Sequence, residues 1–284
     1  MDSNIAQYSI DDKAYTVSTE GGPPFLFGED EILSRKDTDN CFDQPWYPAG
    51  FTIAPLLDEE GFNRLIDGLT TVVGKIVGRI LGKDGVPEGF TLNRYHHFIR
   101  TDQDHYKVVG ITRDLFPEAF TFPLTKLIAQ FESLLGMQLT DINPVNNTQC
   151  HVIIRINRPG SDDYNPPHKD IYEFWDAKNI VPQFINFWIP ICGVTPESTL
   201  PLAPGSHLLP ESQVLRTRES SMANGKQYRV RTVRSWNGQS DLIRPHVGDG
   251  NVLIFTPHII HGLAHNGQPD STRVSLEFRL YRRA

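Results

Sequence analysis

Cysteine is scarce in this chain. Three occur in 284 residues, Cys41, Cys150 and Cys192, far apart and without a C-x-x-C spacing. That argues against a disulfide framework or a zinc–thiolate site and fits a reducing compartment, so a cytoplasmic location is expected. No apolar run approaches the roughly 18 residues of a membrane span, and no membrane partner is expected. Basic tracts are missing too. The formal net charge is -7 and the pI about 5.8, which gives nucleic acid no electrostatic footing. The opening MDSNIAQYSIDDK is polar and acidic, unlike a signal or transit peptide. Long unbroken segments are also rare. With 21 Pro and 22 Gly the chain is interrupted often, which favours many short strands over long helices.

What is present divides near residue 149. Residues 1 to 50 carry weak periodicity, punctuated by Gly21-Gly22 and Pro23-Pro24, and read as an extended arm with one hairpin. Asp58 suits the N-cap of a helix running to Leu81, with Phe62, Leu65, Ile66, Leu69, Val73, Ile76, Val77 and Ile80 at helical spacing and Gly82 closing it. A second amphipathic helix is predicted over 122–135, with Pro123 in its first turn and Gly136 at its exit. Both helices are expected on the outside of a sheet. Between them LNRYHHFIRTDQDHY has no clean period and reads as a loop over a pocket, or as a solvated connection. From Gln149 the character is β. Strands are predicted over 149–157, 184–191, 229–233, 251–255 and 272–281, with Asn224-Gly225 as a turn. The absence of a β-α-β rhythm points to an antiparallel sandwich or barrel in one domain spanning 1–284, with its core in 149–284.

The last predicted strand alternates strictly. Thr272, Val274, Leu276, Phe278 and Leu280 point one way; Arg273, Ser275, Glu277, Arg279 and Tyr281 point the other. Read alone, the second face is a solvated exterior. It would line a wet, anion-binding pocket if the residues around it converge there. Two groups would do so. In His168-Lys169-Asp170 an extended backbone turns imidazole and carboxylate to the same side. His258, His261 and His265 follow a strand-like GDGNVLIF. One of these with His168 and Asp170 would form two imidazoles and a carboxylate around a metal with open positions, a donor set suited to Fe(II). Two other readings stand beside it. The spacing i, i+3, i+7 would put all three histidines on one helical face around zinc, or each would be satisfied separately. A guanidinium at Arg273 with a hydroxyl at Ser275 would hold a carboxylate close to that metal.

Taken together, PHKD at 167–170, NFWIPICGVTPESTLPLAPGSH at 186–207 and GDGNVLIF…HG…N…RVS at 248–275 resemble the Fe(II)/2-oxoglutarate-dependent dioxygenases of the phytanoyl-CoA dioxygenase-like family. The resemblance covers roughly Gln149 to the end. It implies a mainly β fold, a double-stranded β-helix (a jelly-roll, cupin-like barrel) with flanking α-helices. It implies that His168, Asp170 and His261 bind iron, and that Arg273 and Ser275 bind the distal carboxylate of 2-oxoglutarate. Trp188, Gln149 and Arg155 would make further cosubstrate contacts, and His207 would be structural. The stretch PESTLPLAPGSH departs from the commoner form of that loop. The chemistry implied consumes O2 and 2-oxoglutarate, releases succinate and CO2, and hydroxylates, desaturates or cyclises at a substrate C–H. A carboxylate at Asp170, where halogenating relatives carry a small residue, argues against halide transfer. Candidate substrate contacts are Tyr172, Glu173, Trp175, Arg94, Tyr95 and Arg279. A small polar metabolite or natural-product intermediate fits them better than a nucleotide-carried acyl chain, and a monomer or homodimer is expected. A cupin-like isomerase or lyase that needs no 2-oxoglutarate, and a non-catalytic small-molecule-binding barrel, are the alternatives.

Overall fold

The computed structural model describes residues 5–19, 24–173, 181–219, 221–223, 226–228 and 230–283. The strands, in chain order, are β1 (Ile5–Ile10), β2 (Lys13–Ser18), β3 (Phe25–Phe27), β4 (Phe51–Pro55), β5 (Leu139–Thr140), β6 (Ile142–Asn143), β7 (Thr148–Gln149), β8 (Ile153–Asn157) and β9 (Phe184–Cys192). They continue with β10 (Val214–Thr217), β11 (Ser221–Ala223), β12 (Lys226–Tyr228), β13 (Val233–Trp236), β14 (Asp241–Leu242), β15 (Asn251–Phe255) and β16 (Arg273–Arg282). The α-helices are α1 (Glu59–Ile80), α2 (Tyr95–Phe98), α3 (Asp102–Thr112) and α4 (Thr125–Leu135). Among the described residues, no helix is long and apolar enough to cross a membrane.

The largest sheet has six antiparallel strands in the order β4-β15-β9-β16-β5, with β8 also pairing β16. It curls into half a barrel. Its order places β16 between β9 on one side and β8 and β5 on the other, so the final strand is central. The opposite wall is made of shorter pieces: β13-β10-β3, β14-β1-β2, and isolated bridges joining Leu202 to Ile243 and to His261, and His168 to His261. This is the mainly β, jelly-roll-like fold with flanking helices that the resemblance implied.

Helix α1 begins where expected. Asp58 has an extended backbone and its carboxylate accepts the Gly61 N–H at 2.8 Å, satisfying one of the orphan donors of the first turn. Gly136 closes α4 in the left-handed conformation. That helix starts at Thr125, after Pro123 rather than around it. Leu65, Leu69, Val73, Leu127 and Phe131 bury against Phe187, Ile189, Leu276 and Phe278 on the convex side of the sheet, with the Phe131 ring stacked on Phe187 at 4.1 Å. These faces remove a large apolar area from water, at roughly 25 cal/mol per Å².

Several expectations need correction. The stretch from Leu92 to Tyr106 is not a loop: it holds a 3-10 turn at Leu92–Arg94, then α2 and the first turn of α3. Helix α3 escapes notice because its buried face is small: only His105, Val108 and Thr112 are buried. The strand expected over 229–233 lies further on, at Val233–Trp236. The expected turn at Asn224-Gly225 falls outside the described residues, although β11 and β12 on either side pair antiparallel. The expected hairpin of the arm is β1–β2, turning through Asp11 and Asp12, both with positive φ. Parallel pairing of β1 with β14 fastens that hairpin to the barrel.

Candidate metal centre

The polar face of β16 is not solvated. Arg273 and Ser275 are as buried as Val274 and Leu276 on the opposite face. Going along the strand the side chains open outward: Arg273 and Ser275 are sealed, whereas the side chains of Glu277 and Arg279 are 20% and 18% exposed. The concave side of the sheet is therefore a polar interior, sealed around Arg273 and Ser275 and partly exposed at Glu277 and Arg279.

His168, Asp170 and His261 meet inside it. One ligand atom from each lies within 4.8 Å of the others, and all three residues are buried. Backbone pairing sets this up. His168 and His261 exchange N–H···O bonds at 2.9 and 3.0 Å, so two segments distant in sequence run side by side and their rings lie 4.4 Å apart. Gly262 permits the approach. Its φ is +143°, and a Cβ there would lie 2.6 Å from the Pro166 carbonyl oxygen. Both imidazoles are oriented alike: Nδ1–H of His168 donates to the Pro166 carbonyl at 2.7 Å, and Nδ1–H of His261 to that of Ile259 at 3.0 Å. With that tautomer each Nε2 presents a lone pair to the centre, 3.5 and 3.6 Å from the Asp170 oxygens. Lys169 points away, as an extended backbone requires, and donates to Glu211 at 2.7 Å.

The electrostatics suit a cation. Burial by itself would raise Asp170, but the guanidinium of Arg279 and the imidazoles of His261 and His168 outweigh it and hold the carboxyl well below the usual carboxylate range. Burial pushes His261 down to about 4 against the pull of Asp170, so its ring is neutral and able to ligate at neutral pH. Asp170 is clamped on both oxygens: Asn186 Nδ2 donates to one at 2.8 Å and Arg279 Nη2 to the other at 2.8 Å. Two imidazoles and an ionised carboxylate, each braced from behind, are a fitting donor set for Fe(II).

The helical zinc reading fails. Residues 256–265 form no helix, His258 Nε2 reaches the Thr38 carbonyl, and the His265 ring packs edge-on to Tyr15 and Tyr164. His207 is buried with Nε2 on the Tyr47 carbonyl and stands apart from the triad.

At the closed end Arg273 donates through Nε to the Ser198 carbonyl at 2.7 Å and through Nη1 to Asn157 Oδ1 at 2.6 Å. Among the described residues its Nη2 has no partner. Neither does Ser275 Oγ, nor the indole Nε1 of Trp188, whose ring lies 5.2 Å from the guanidinium carbon. Among the described residues no carboxylate lies within ion-pair distance of Arg273, and burial pushes its guanidinium down to about 9. A buried cation beside two idle donors is costly unless an anion completes it. A carboxylate would.

The remaining expected contacts separate. Gln149 spends its side-chain amide on Asp141 at 2.8 Å and Glu118 at 3.3 Å, not on a cosubstrate. Arg155 lies opposite Ser275 in register but ion-pairs with Glu277 at 3.0 Å, nearer the mouth. Tyr172 is no pocket wall: its hydroxyl donates to Glu211 at 2.6 Å, and the ring is packed among Lys169, Arg216 and Arg231. Tyr95 is fully buried with its hydroxyl on His105, and Arg94 is exposed. Arg279 is a brace rather than a free grip, held by Asp170 and, at 2.7 Å, by Glu173. Trp175 lies outside the described residues. Sequence reasoning missed Asn186, the other clamp on Asp170. The only signal for it was its place two residues before Trp188 on the same face of a strand.

Residues 90–273, well over half of the chain, match the family described as phytanoyl-CoA dioxygenase (PhyH). The chain belongs to that family. Fe(II) and 2-oxoglutarate are therefore its metal and cosubstrate, and the residues just described fit both. No curated protein matches the chain. Solved structures are similar to it at low identity. ThoJ, a non-heme monooxygenase in its apo form, is 14% identical, with 84% of this chain and 75% of that one covered and a TM-score of 0.49. EctD from S. alaskensis with 2-oxoglutarate and 5-hydroxyectoine is 13% identical, with 90% and 79% covered and a TM-score of 0.45. AviO1 from Streptomyces viridochromogenes Tue57 is 17% identical, with 89% and 97% covered and a TM-score of 0.43.

Proposed function

We propose that this dioxygenase hydroxylates a C–H bond of a small polar metabolite, with His168, Asp170 and His261 holding the iron and Arg273, Ser275 and Trp188 holding the far carboxylate of 2-oxoglutarate. The observation that carries the reading is the buried guanidinium of Arg273, which among the described residues lacks a counter-charge and shares its face of the strand with unused donors. Bound Fe(II) would supply the oxidising power, by coupling O2 and the decarboxylation of 2-oxoglutarate to attack on the substrate. The chain's part is placement. Asn186 and Arg279 fix the Asp170 carboxylate, and the Pro166 and Ile259 carbonyls fix the two rings. Trp188 and the apolar side chains around it, among them Leu253, Phe255 and Ile259, keep water from the closed end.

Substrate would enter at the mouth, where Arg155 pairs with Glu277 and Glu173 with Arg279. Two ion pairs leave no net charge there. That favours a compact substrate that is zwitterionic or rich in hydroxyls over one tethered to a polyanionic carrier. A cupin-like isomerase or lyase has no use for a buried, uncompensated arginine at the far end of its pocket. The test is anaerobic addition of Fe(II) and 2-oxoglutarate, followed by a metabolite screen for succinate release. A visible charge-transfer band that appears in the wild type and is lost in Arg273→Ala supports the reading. An undiminished band in that variant sinks the carboxylate assignment.

A further inference from the structure

A second convergence of metal-binding side chains lies outside the pocket. His96 and His97 on α2 both turn Nε2 to the same oxygen of Asp270, at 3.0 and 2.9 Å. The three ligand atoms lie within 4.8 Å of one another, and the side chains are 18%, 48% and 76% exposed. His96 is held in place from behind. Its Nδ1 lies 2.8 Å from Thr272 Oγ1, which also accepts the His96 backbone N–H at 3.3 Å. Thr272 N–H donates in turn to the Asn93 carbonyl at 2.8 Å. The donor set is thus assembled from two segments far apart in sequence and braced like the ligands of a metal centre. Tetrahedral zinc with bonds of about 2.0–2.2 Å separates its ligand atoms by roughly 3.3–3.5 Å, within a few tenths of an ångström of the separations found for each imidazole and the carboxylate.

We propose that His96, His97 and Asp270 form a second site, for a divalent transition ion of the zinc type, distinct from the iron centre. Two imidazoles and one carboxylate, with no thiolate, suit zinc and its neighbours rather than calcium or magnesium. Exposure of His97 and Asp270 leaves the remaining coordination to water, so the ion would be exchangeable. Its position gives it a consequence. Asp270 lies three residues before Arg273, and His96 lies on the helical segment packed beside the start of β16. An ion there would tie that segment to the strand bearing the arginine of the closed end.

The experiment is equilibrium dialysis of the full, untagged chain against buffered Zn(II), with metal counted per chain, in the wild type, His97→Ala, Asp270→Asn and His168→Ala. Both His97 and Asp270 are exposed, so their variants should fold. The expected result is one equivalent fewer in His97→Ala and in Asp270→Asn than in the wild type, with the His97 site still filled in His168→Ala. Thermal scans give an independent reading: the part of the zinc-induced rise in Tm that survives in His168→Ala should vanish when His97→Ala is added. Equal zinc content in the wild type and His97→Ala overturns the proposal and leaves the iron assignment untouched. Loss of zinc in His168→Ala alone, with His97→Ala unchanged, overturns it as well.

Discussion

Replacing Arg273 with methionine should abolish cosubstrate binding without unfolding the protein. The guanidinium is fully buried and held at about 9, more than three pH units below its ordinary value. At about 1.4 kcal/mol per pH unit that difference corresponds to roughly 5 kcal/mol of penalty on the charged form. Methionine removes the penalty but strands two acceptors, the Ser198 carbonyl and Asn157 Oδ1, at a cost of about 1–3 kcal/mol each. The two effects nearly cancel, so the ligand-free variant should lie within about 3 kcal/mol of wild type. Cosubstrate separates them. With Mn(II) in place of iron and 2-oxoglutarate at a hundredfold excess over Kd, the wild type should gain about 2.7 kcal/mol, seen as a rise in Tm of several degrees. The variant should gain nothing from 2-oxoglutarate. The sign with pH follows from linkage. Above about 9 and up to the ordinary guanidinium value, the unfolded chain holds a proton on Arg273 that the folded, ligand-free chain releases, so this group's contribution to stability rises with pH across that window. Differential scanning calorimetry with and without 2-oxoglutarate reads the whole scheme. A variant destabilised by far more than 3 kcal/mol, yet still stabilised by 2-oxoglutarate as the wild type is, refutes the reasoning.

Arg279→Ala or Asn186→Ala should weaken Fe(II) binding about 10–100-fold by releasing one oxygen of Asp170, measured by anaerobic metal titration. Gly262→Ala should cost more than about 3 kcal/mol, because it combines an unfavourable φ with a 2.6 Å clash against the Pro166 carbonyl, and should loosen the pairing of His168 with His261; chemical denaturation and metal titration check both. His261 and His207 are both pushed by burial from 6.5 to about 4, so the unfolded chain takes up their protons first and stability should fall as pH drops from about 6.5 to 4, measured by urea midpoints across that range. Glu211→Gln should destabilise by about 3–5 kcal/mol, because Lys169 would remain buried without its counter-charge; the urea midpoint reads it.

Much of this was legible in the residues. Period-2 alternation located β16, and the capping chemistry of Asp58 and the exit glycine at 136 located α1 and the end of α4. His168 and Asp170 were legible as a pair because an extended backbone repeats every two residues. His261 was not distinguishable from His258 and His265 on spacing alone; only the resemblance singled it out, and in the fold the distinction comes from a backbone bridge between residues 93 positions apart. Burial of the polar face of β16 was likewise invisible, since alternation says that two faces differ and not that either one is wet.

The misplaced side chains share a physical cause. Tyr172, Arg279 and Gln149 were assigned to ligands because polar or aromatic groups near a metal motif invite that role, yet each had a protein partner that only the fold could supply: Glu211, Asp170 with Glu173, and Asp141 with Glu118. Burying a hydroxyl or a guanidinium without a partner costs kilocalories, so the chain pairs such groups wherever it can. The few left unpaired therefore carry more information than the many near the motif. Trp188 Nε1, Arg273 Nη2 and Ser275 Oγ sit together at one end of one pocket, and a single carboxylate would satisfy at least two of them at once. In this fold the ligand is marked less by which residues are polar than by which polar atoms the protein has left unanswered.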